Sequence, residues 1–231
     1  MNTKGNLKAQ FVFASLFLPL TVLALYFDGV PFQKEYFDGR WITNLMTISF
    51  LFFLYLFSDS YMRKLLLVMV PLSFLGELIF SVYFGLYEYK TPFIPLYVPF
   101  GHSVLYISGC IIAKANFIQN NTEVLKKVFH TFFALLFLSV GVFLKDYLTL
   151  IFGVLFFILL KRKNWDIKYS CIAICVVLIE LAGTYFQCWK WEALAFGYIP
   201  TINPPMGALA LYLGGDSLLV KIVKQKKKIS L

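Results

Sequence analysis

The 231 residues are 60% hydrophobic and only 14% charged, against about 25% charged in a soluble domain, so too little polar side chain exists to cover a water-facing surface. The formal charge of +9 would suit nucleic acid if it lined one solvated face, but Lys and Arg sit in short clusters between apolar segments, which sets that partner aside and points to membrane topology. Apolar runs recur from Phe11 to Val223 and leave no stretch long enough for a water-soluble catalytic domain.

In chain order, Lys4 and Lys8 precede a first apolar run that resembles a signal peptide, but Ala24-Leu25-Tyr26 is a poor cleavage site and the segment is expected to be retained. The predicted spans are Phe11 to Phe27, Ile42 to Phe57, Leu65 to Leu86, Phe93 to Ala113, Phe129 to Leu144, Tyr147 to Leu160, Tyr169 to Phe186 and Pro204 to Val223. Each approaches the roughly 20 residues that cross a bilayer core of about 30 Å. The expectation is an all-α, polytopic membrane protein of eight transmembrane helices.

Of the 21 Lys and Arg, only Lys34, Arg40, Lys90, Lys145 and Lys190 fall on one side of these spans. The other sixteen, including Arg63, Lys64, Lys161 to Lys163 and the tail lysines Lys224 and Lys226 to Lys228, share the side of both termini. Positively charged loops stay inside, so both termini are expected in the cytoplasm, in a bacterial cytoplasmic (inner) membrane. The tail is read first as a topology anchor and second as a binder of anionic lipid. Cys110, Cys171 and Cys175 fall inside spans and Cys188 in a loop, a pattern of packing residues and not of disulfides or metal ligands. No metal and no cofactor is expected, and no P-loop, Rossmann or metalloprotease pattern is present.

An offset near 105 residues aligns the chain with itself. Glu77 falls on Glu180, Tyr83-Phe84 on Tyr185-Phe186, Tyr87-Glu88-Tyr89 on Trp189-Lys190-Trp191, and Pro99-Phe100-Gly101 with Leu105-Tyr106 on Pro205-Met206-Gly207 with Leu211-Tyr212. Apolar echoes alone would mean nothing between two lipid-facing helices; the Glu, aromatic and Pro-x-Gly elements in one order carry the repeat. Residues 1–120 and 121–231 are then two four-helix halves of one membrane domain, a parallel 4+4 repeat about an axis along the membrane normal.

Glu77 lies thirteen residues beyond Lys64 and Glu180 twelve beyond Lys168, so each carboxyl sits about 18 to 20 Å into its helix. An ionised acid at that depth costs about 2.5 to 3.5 kcal/mol, so each is expected to be neutral or paired, as a general acid or proton relay requires; the alternative is a carboxyl that fixes helix packing. Tyr87, Tyr89, Trp189 and Trp191 follow the two Glu helices as candidate substrate contacts, although aromatics also belong at a membrane interface. Pro99, about seven residues into the fourth predicted span, is expected to kink it and free carbonyls toward a cavity. His102 is within reach of that cavity as a third catalytic candidate, with local hydrogen bonding as its alternative. Asn203 reads first as a helix cap and second as a ligand contact; Asp216 reads as the partner of a basic side chain, and His130 as structural.

The string Glu77, Gly85-Leu86-Tyr87-Glu88-Tyr89 and Pro95-Leu96-Tyr97-Val98-Pro99 resembles the signature region of bacterial membrane proteins of carotenoid biosynthesis, of the carotenoid hydratase and lycopene cyclase type. It covers about thirty residues of the first half, with a looser copy in the second. The resemblance implies an enzyme that protonates a polyene and adds water or closes a ring, with Glu77 or Glu180 as proton donor. The paired acidic motif of the cyclases is missing here, and Gly101-His102 and Asn203-Pro204-Pro205 are not features of that family.

Three functions stay open. The first is a membrane enzyme acting on a lipid or isoprenoid with an intramembrane Glu as acid or base. The second is a small-solute transporter or channel with the two Glu as coupling sites, for which eight short helices are few unless the chain forms a homodimer. The third is a membrane scaffold or assembly factor. Membrane lipid is the expected partner, and a cavity open sideways to lipid would favour the enzyme.

Overall fold

A computed structural model of the chain describes residues 6–229 and side chains as far as Lys224; Lys4 and the tail lysines Lys226 to Lys228 lie outside the side chains described. The fold is all-α apart from short strands. Its helices are α1 (Leu7–Asp28), α2 (Val30–Glu35), α3 (Arg40–Phe57), α4 (Ser60–Glu77), α5 (Tyr97–Ile112), α6 (Asn116–Asn120), α7 (Thr122–Phe143), α8 (Tyr147–Arg162), α9 (Ile167–Tyr185) and α10 (Leu209–Ile229). Among the described residues, six helical stretches are long and apolar enough to cross a membrane: α1, α3, α4 with its continuation to Tyr83, α7, α9 and Met206–Lys224. Helices of this kind are what an integral membrane protein requires. α5 is apolar but shorter, and α8 has 16 residues.

Four helices begin where an acid or amide side chain accepts from the first free backbone N–H groups: Asn6 for α1, Asp59 for α4, Asp146 for α8 and Asp166 for α9. The start of α1 is tied to the end of α3, since Asn6 N and Gln10 Nε2 both donate to Phe57 O at 2.9 Å. At the same end, Asp216 of α10 accepts from Lys163, just past α8, and from Tyr169 of α9. This end, the terminal face, gathers the starts of α1 and α9 and the ends of α3 and α8.

The opposite end carries the strands. β1 (Tyr87–Tyr89) and β2 (Trp189–Trp191) pair antiparallel in the register Tyr87↔Trp191, Glu88↔Lys190, Tyr89↔Trp189, and β3 (Leu194–Ala195) pairs with β4 (Ile199–Pro200). Buried Asp28 knots this face together. It takes Tyr97 Oη at 2.7 Å and Lys90 Nζ at 3.0 Å, so the end of α1, the start of α5 and the segment after β1 meet on one carboxylate.

The boundaries on either side of β1 depart from the predicted spans. After Glu77 the chain runs through a π-helical turn, Leu78–Tyr83, and leaves it at Gly85 with φ of +57°, a left-handed conformation that glycine adopts without cost. The third helix therefore ends before Leu86. The fourth begins at Tyr97 and not at Phe93, because Thr91 to Leu96, which carry Pro92 and Pro95, are bent and irregular. Pro99 is then the third residue of α5, in the first turn where a missing N–H costs nothing, and the expected kink is not formed. Beyond a helix's first turn, prolines occur among the described residues at Pro19 in α1 and Pro71 in α4.

α5 packs against α1, α3, α4 and α9 and is the hub of the bundle. Its crossing with α9 is close: a Cβ at Gly109 would lie 2.7 Å from Ile172 Cγ1 and 2.9 Å from Ile172 Cα. The second of these atoms is backbone and cannot swing aside. Gly109→Ala should therefore cost about 1–3 kcal/mol by overpacking, checked by thermal unfolding of the purified variant.

Candidate functional site

A cavity of about 850 Å³ runs through the bundle, with walls from α1, α3, α4, α5, α8, α9 and α10. Along α1 it extends from Phe13 to Leu25, which at 1.5 Å per residue is about 18 Å. Most of its wall is apolar, with Phe17, Phe50, Met69 and Leu72 among the side chains; its polar groups gather at the strand end.

Glu77 closes α4 immediately before the π turn and is buried. Its Oε2 accepts from Tyr89 Oη at 2.6 Å and Tyr87 Oη at 2.8 Å. Glu180, buried on α9, is held in the same manner: its Oε2 accepts from Trp189 Nε1 at 3.0 Å and Trp191 Nε1 at 3.1 Å. Strand geometry explains both sets. Side chains two apart along a strand share a face, so the ribbon turns Tyr87, Tyr89, Trp189 and Trp191 inward as a roof and leaves Glu88 and Lys190 exposed. Across the ribbon the rings of Tyr87 and Trp191 pack with centroids 4.6 Å apart. Room for the Trp189 ring comes from Gly183, where a Cβ would sit 2.0 Å from Trp189 Cη2.

His102 on α5 reaches the same roof. Its Nε2 lies 3.6 Å from Glu77 Oε1 and 3.1 Å from Tyr212 Oη of α10. The structure thus brings Glu77, Glu180, His102, Tyr87, Tyr89, Trp189 and Trp191 to one cavity wall. Asn203 is not among them. It is exposed, caps no helix, and its Oδ1 accepts from Trp191 N at 3.0 Å, which anchors β2 from outside.

Two wall residues escaped the sequence reading, Tyr97 and Tyr212. Tyr212 falls opposite Tyr106 when the chain is aligned with itself, a signal that could have marked it; the Tyr97–Asp28 bond spans 69 residues and leaves no local pattern. Asp216 pairs with a basic side chain as expected, and the partner is Lys163. His130 packs its ring on Trp165 at 4.8 Å, away from the cavity wall. The four cysteines are buried and free.

The cavity wall reaches the apolar outer surface of the bundle: α3 and α4 each pack on α5 far more than on one another, and cavity-lining Phe53 of α3, Leu75 of α4, Leu155 of α8 and Leu218 of α10 are 43%, 55%, 38% and 49% exposed. The rim is thus apolar. No lysine or arginine lines the cavity among the described residues. Its chemistry is that of two fixed carboxyls beside an imidazole and a phenol, able to give or take a proton inside a slot that water has little reason to fill. Compared with models of protein families, with curated proteins and with solved structures, the chain matches none.

Proposed function

We propose that the chain is an enzyme of the membrane, with eight spans in two related halves, that acts on a lipid or isoprenoid and uses Glu77 and Glu180 as acid and base. The observation that carries this reading is the pair of carboxyls, each fixed through one oxygen by two aromatic donors, at the polar end of an apolar slot whose wall reaches the apolar outer surface of the bundle. A substrate that enters between α3 and α4 would arrive from lipid and not from water. A solute carrier would instead need polar access from both faces.

The ribbon supports the repeat. If residues 87, 88 and 89 correspond to 189, 190 and 191, a two-fold axis through the Glu88↔Lys190 pair demands Tyr87↔Trp191 and Tyr89↔Trp189, which is the register found. Each half then offers one carboxyl and two donors from its own strand. A polyene, the substrate that the sequence resemblance implies, fits an 18 Å apolar slot, and protonation by either Glu would leave positive charge beside aromatic rings that stabilise it.

The test is untargeted lipid and pigment profiling of cells that express the wild type, Glu77→Gln or Glu180→Gln at matched levels. Glutamine keeps an acceptor for the aromatic donors but cannot shuttle a proton, so the species altered by the wild type should change at least about 100-fold more slowly in a variant that has lost its acid. Identical profiles for the wild type and both folded variants would end the enzyme reading. Proton-coupled uptake into proteoliposomes would then be the assay, since the same two carboxyls would be coupling sites in a carrier.

A further inference from the structure

The cavity holds two carboxyls and no lysine or arginine among the described residues. A buried charge is paired or it is neutral, and nothing in the cavity wall supplies the pair. Of the other buried acids, Asp28 has Lys90 at 3.0 Å and Asp216 has Lys163, while Asp146 has no cation and caps α8 by accepting from Thr149. Asp28 and Asp216 are each given a cation by the fold; the two cavity acids have only His102, at 3.6 Å from Glu77.

The hydrogen bonding leaves one oxygen of each cavity acid without a donor. An indole N–H donates and cannot accept, so both Trp bonds to Glu180 Oε2 require that oxygen as acceptor. All four roof donors converge on Oε2 atoms. Oε1 of Glu180 accepts no hydrogen bond among the described residues and is not sealed away from the cavity surface. A carboxylate held at one oxygen by two donors, with the other oxygen facing an open slot, presents its free lone pairs to whatever occupies that slot.

Resting on the lipid-enzyme reading above but not on a polyene as its substrate, we infer that the ligand is a long-chain amphiphile with a cationic head, an amine or quaternary ammonium, whose head sits between Glu77 and Glu180 beneath the aromatic roof. The carboxylates supply the countercharge, and the Tyr and Trp rings add the aromatic surroundings that ammonium groups prefer. The apolar slot takes the chain, which lies along α1 toward Phe13. Entry between Phe53 and Leu75 lets such a lipid pass without exposing its tail to water.

The experiment uses the full chain in nanodiscs and reads thermal unfolding against added hexadecyltrimethylammonium, hexadecanol and hexadecanoate, which share a tail and differ in head charge. Binding raises the unfolding temperature in proportion to occupancy. The ammonium probe should bind at least about tenfold tighter than the alcohol, the carboxylate should not bind, and Glu77→Gln and Glu180→Gln should each erase the ammonium preference while the alcohol response stays. Equal binding of ammonium and alcohol to the wild type, which needs no variant to fold, would overturn the inference, as would an ammonium preference intact in both variants. No turnover is read. Ammonium binding with unchanged cellular lipids would leave this inference standing and remove the enzyme; lipid conversion without any ammonium preference would do the reverse.

Discussion

Asp216→Ala is expected to destabilise the protein by about 3–5 kcal/mol, the cost of breaking a buried ion pair by removing one partner. Asp216 is 1% exposed and accepts from Tyr106 of α5, Tyr169 of α9 and Lys163 beyond α8. One side chain on α10 thus holds three other parts of the bundle at the terminal face. Alanine would leave two phenols and an ammonium without their acceptor, and the Lys163 side chain, 15% exposed, cannot fully recover water. Asp216→Asn keeps an acceptor oxygen and should lose less. Thermal unfolding of the three proteins in one detergent gives the order wild type, Asn, Ala; an alanine variant as stable as the wild type would remove the cluster from the account of stability. The pair is buried, so raising salt to about 1 M, where the Debye length falls to about 3 Å, should not mimic the substitution.

The helices were legible because charges punctuate apolar runs. Ile42 to Phe57 and Tyr169 to Phe186 fall within two residues of α3 and α9, since Arg40 and Asp59 flank the first and Asp166 and Lys168 mark the start of the second. α7 starts seven residues before the predicted Phe129, as a helix can continue past the apolar boundary with Lys126 and Lys127 in water while hydropathy stops there. The segment from Leu78 to Leu96 was the least legible. Its Ile79, Phe80, Phe93 and Ile94 read as span residues, but a local π turn closes the helix and the ribbon pairs with a strand elsewhere in the chain. Hydropathy carries no information about hydrogen-bond partners about 100 residues away.

The site was legible in its residues and not in its geometry. An acid deep in an apolar run stands out at Glu77 and Glu180, as do two aromatic tripeptides at one offset. What could not be read is that each tripeptide donates to the Glu of the helix that precedes it, through two side chains separated by one residue, because that requires the strand pleat and a reversal after the helix. Nor did the sequence mark Gly183, whose lack of a side chain matters only once Trp189 folds back upon α9.

Gly183→Ala tests that return directly. A Cβ would meet Cη2, Cζ2 and Cζ3 of Trp189 at 2.0, 2.1 and 2.4 Å, so the ring must leave, and with it the Nε1 bond to Glu180. Overpacking of this size costs about 1–3 kcal/mol; under the proposed enzyme function, where Glu180 reacts, loss of one of its two donors should slow lipid conversion by about 10- to 100-fold, the scale of one charge-assisted hydrogen bond. The two effects separate in a double variant. Trp189→Phe removes the ring atoms that collide and also removes the N–H, so Gly183→Ala with Trp189→Phe should regain stability while conversion stays low. If that double variant regained both, packing alone would govern the site and the indole donors would have no part in placing Glu180. If it regained neither, Gly183 would matter to α9 through something other than the Trp189 ring, and Trp191, whose own bond to Glu180 is untouched by either substitution, would be the indole that holds the carboxyl.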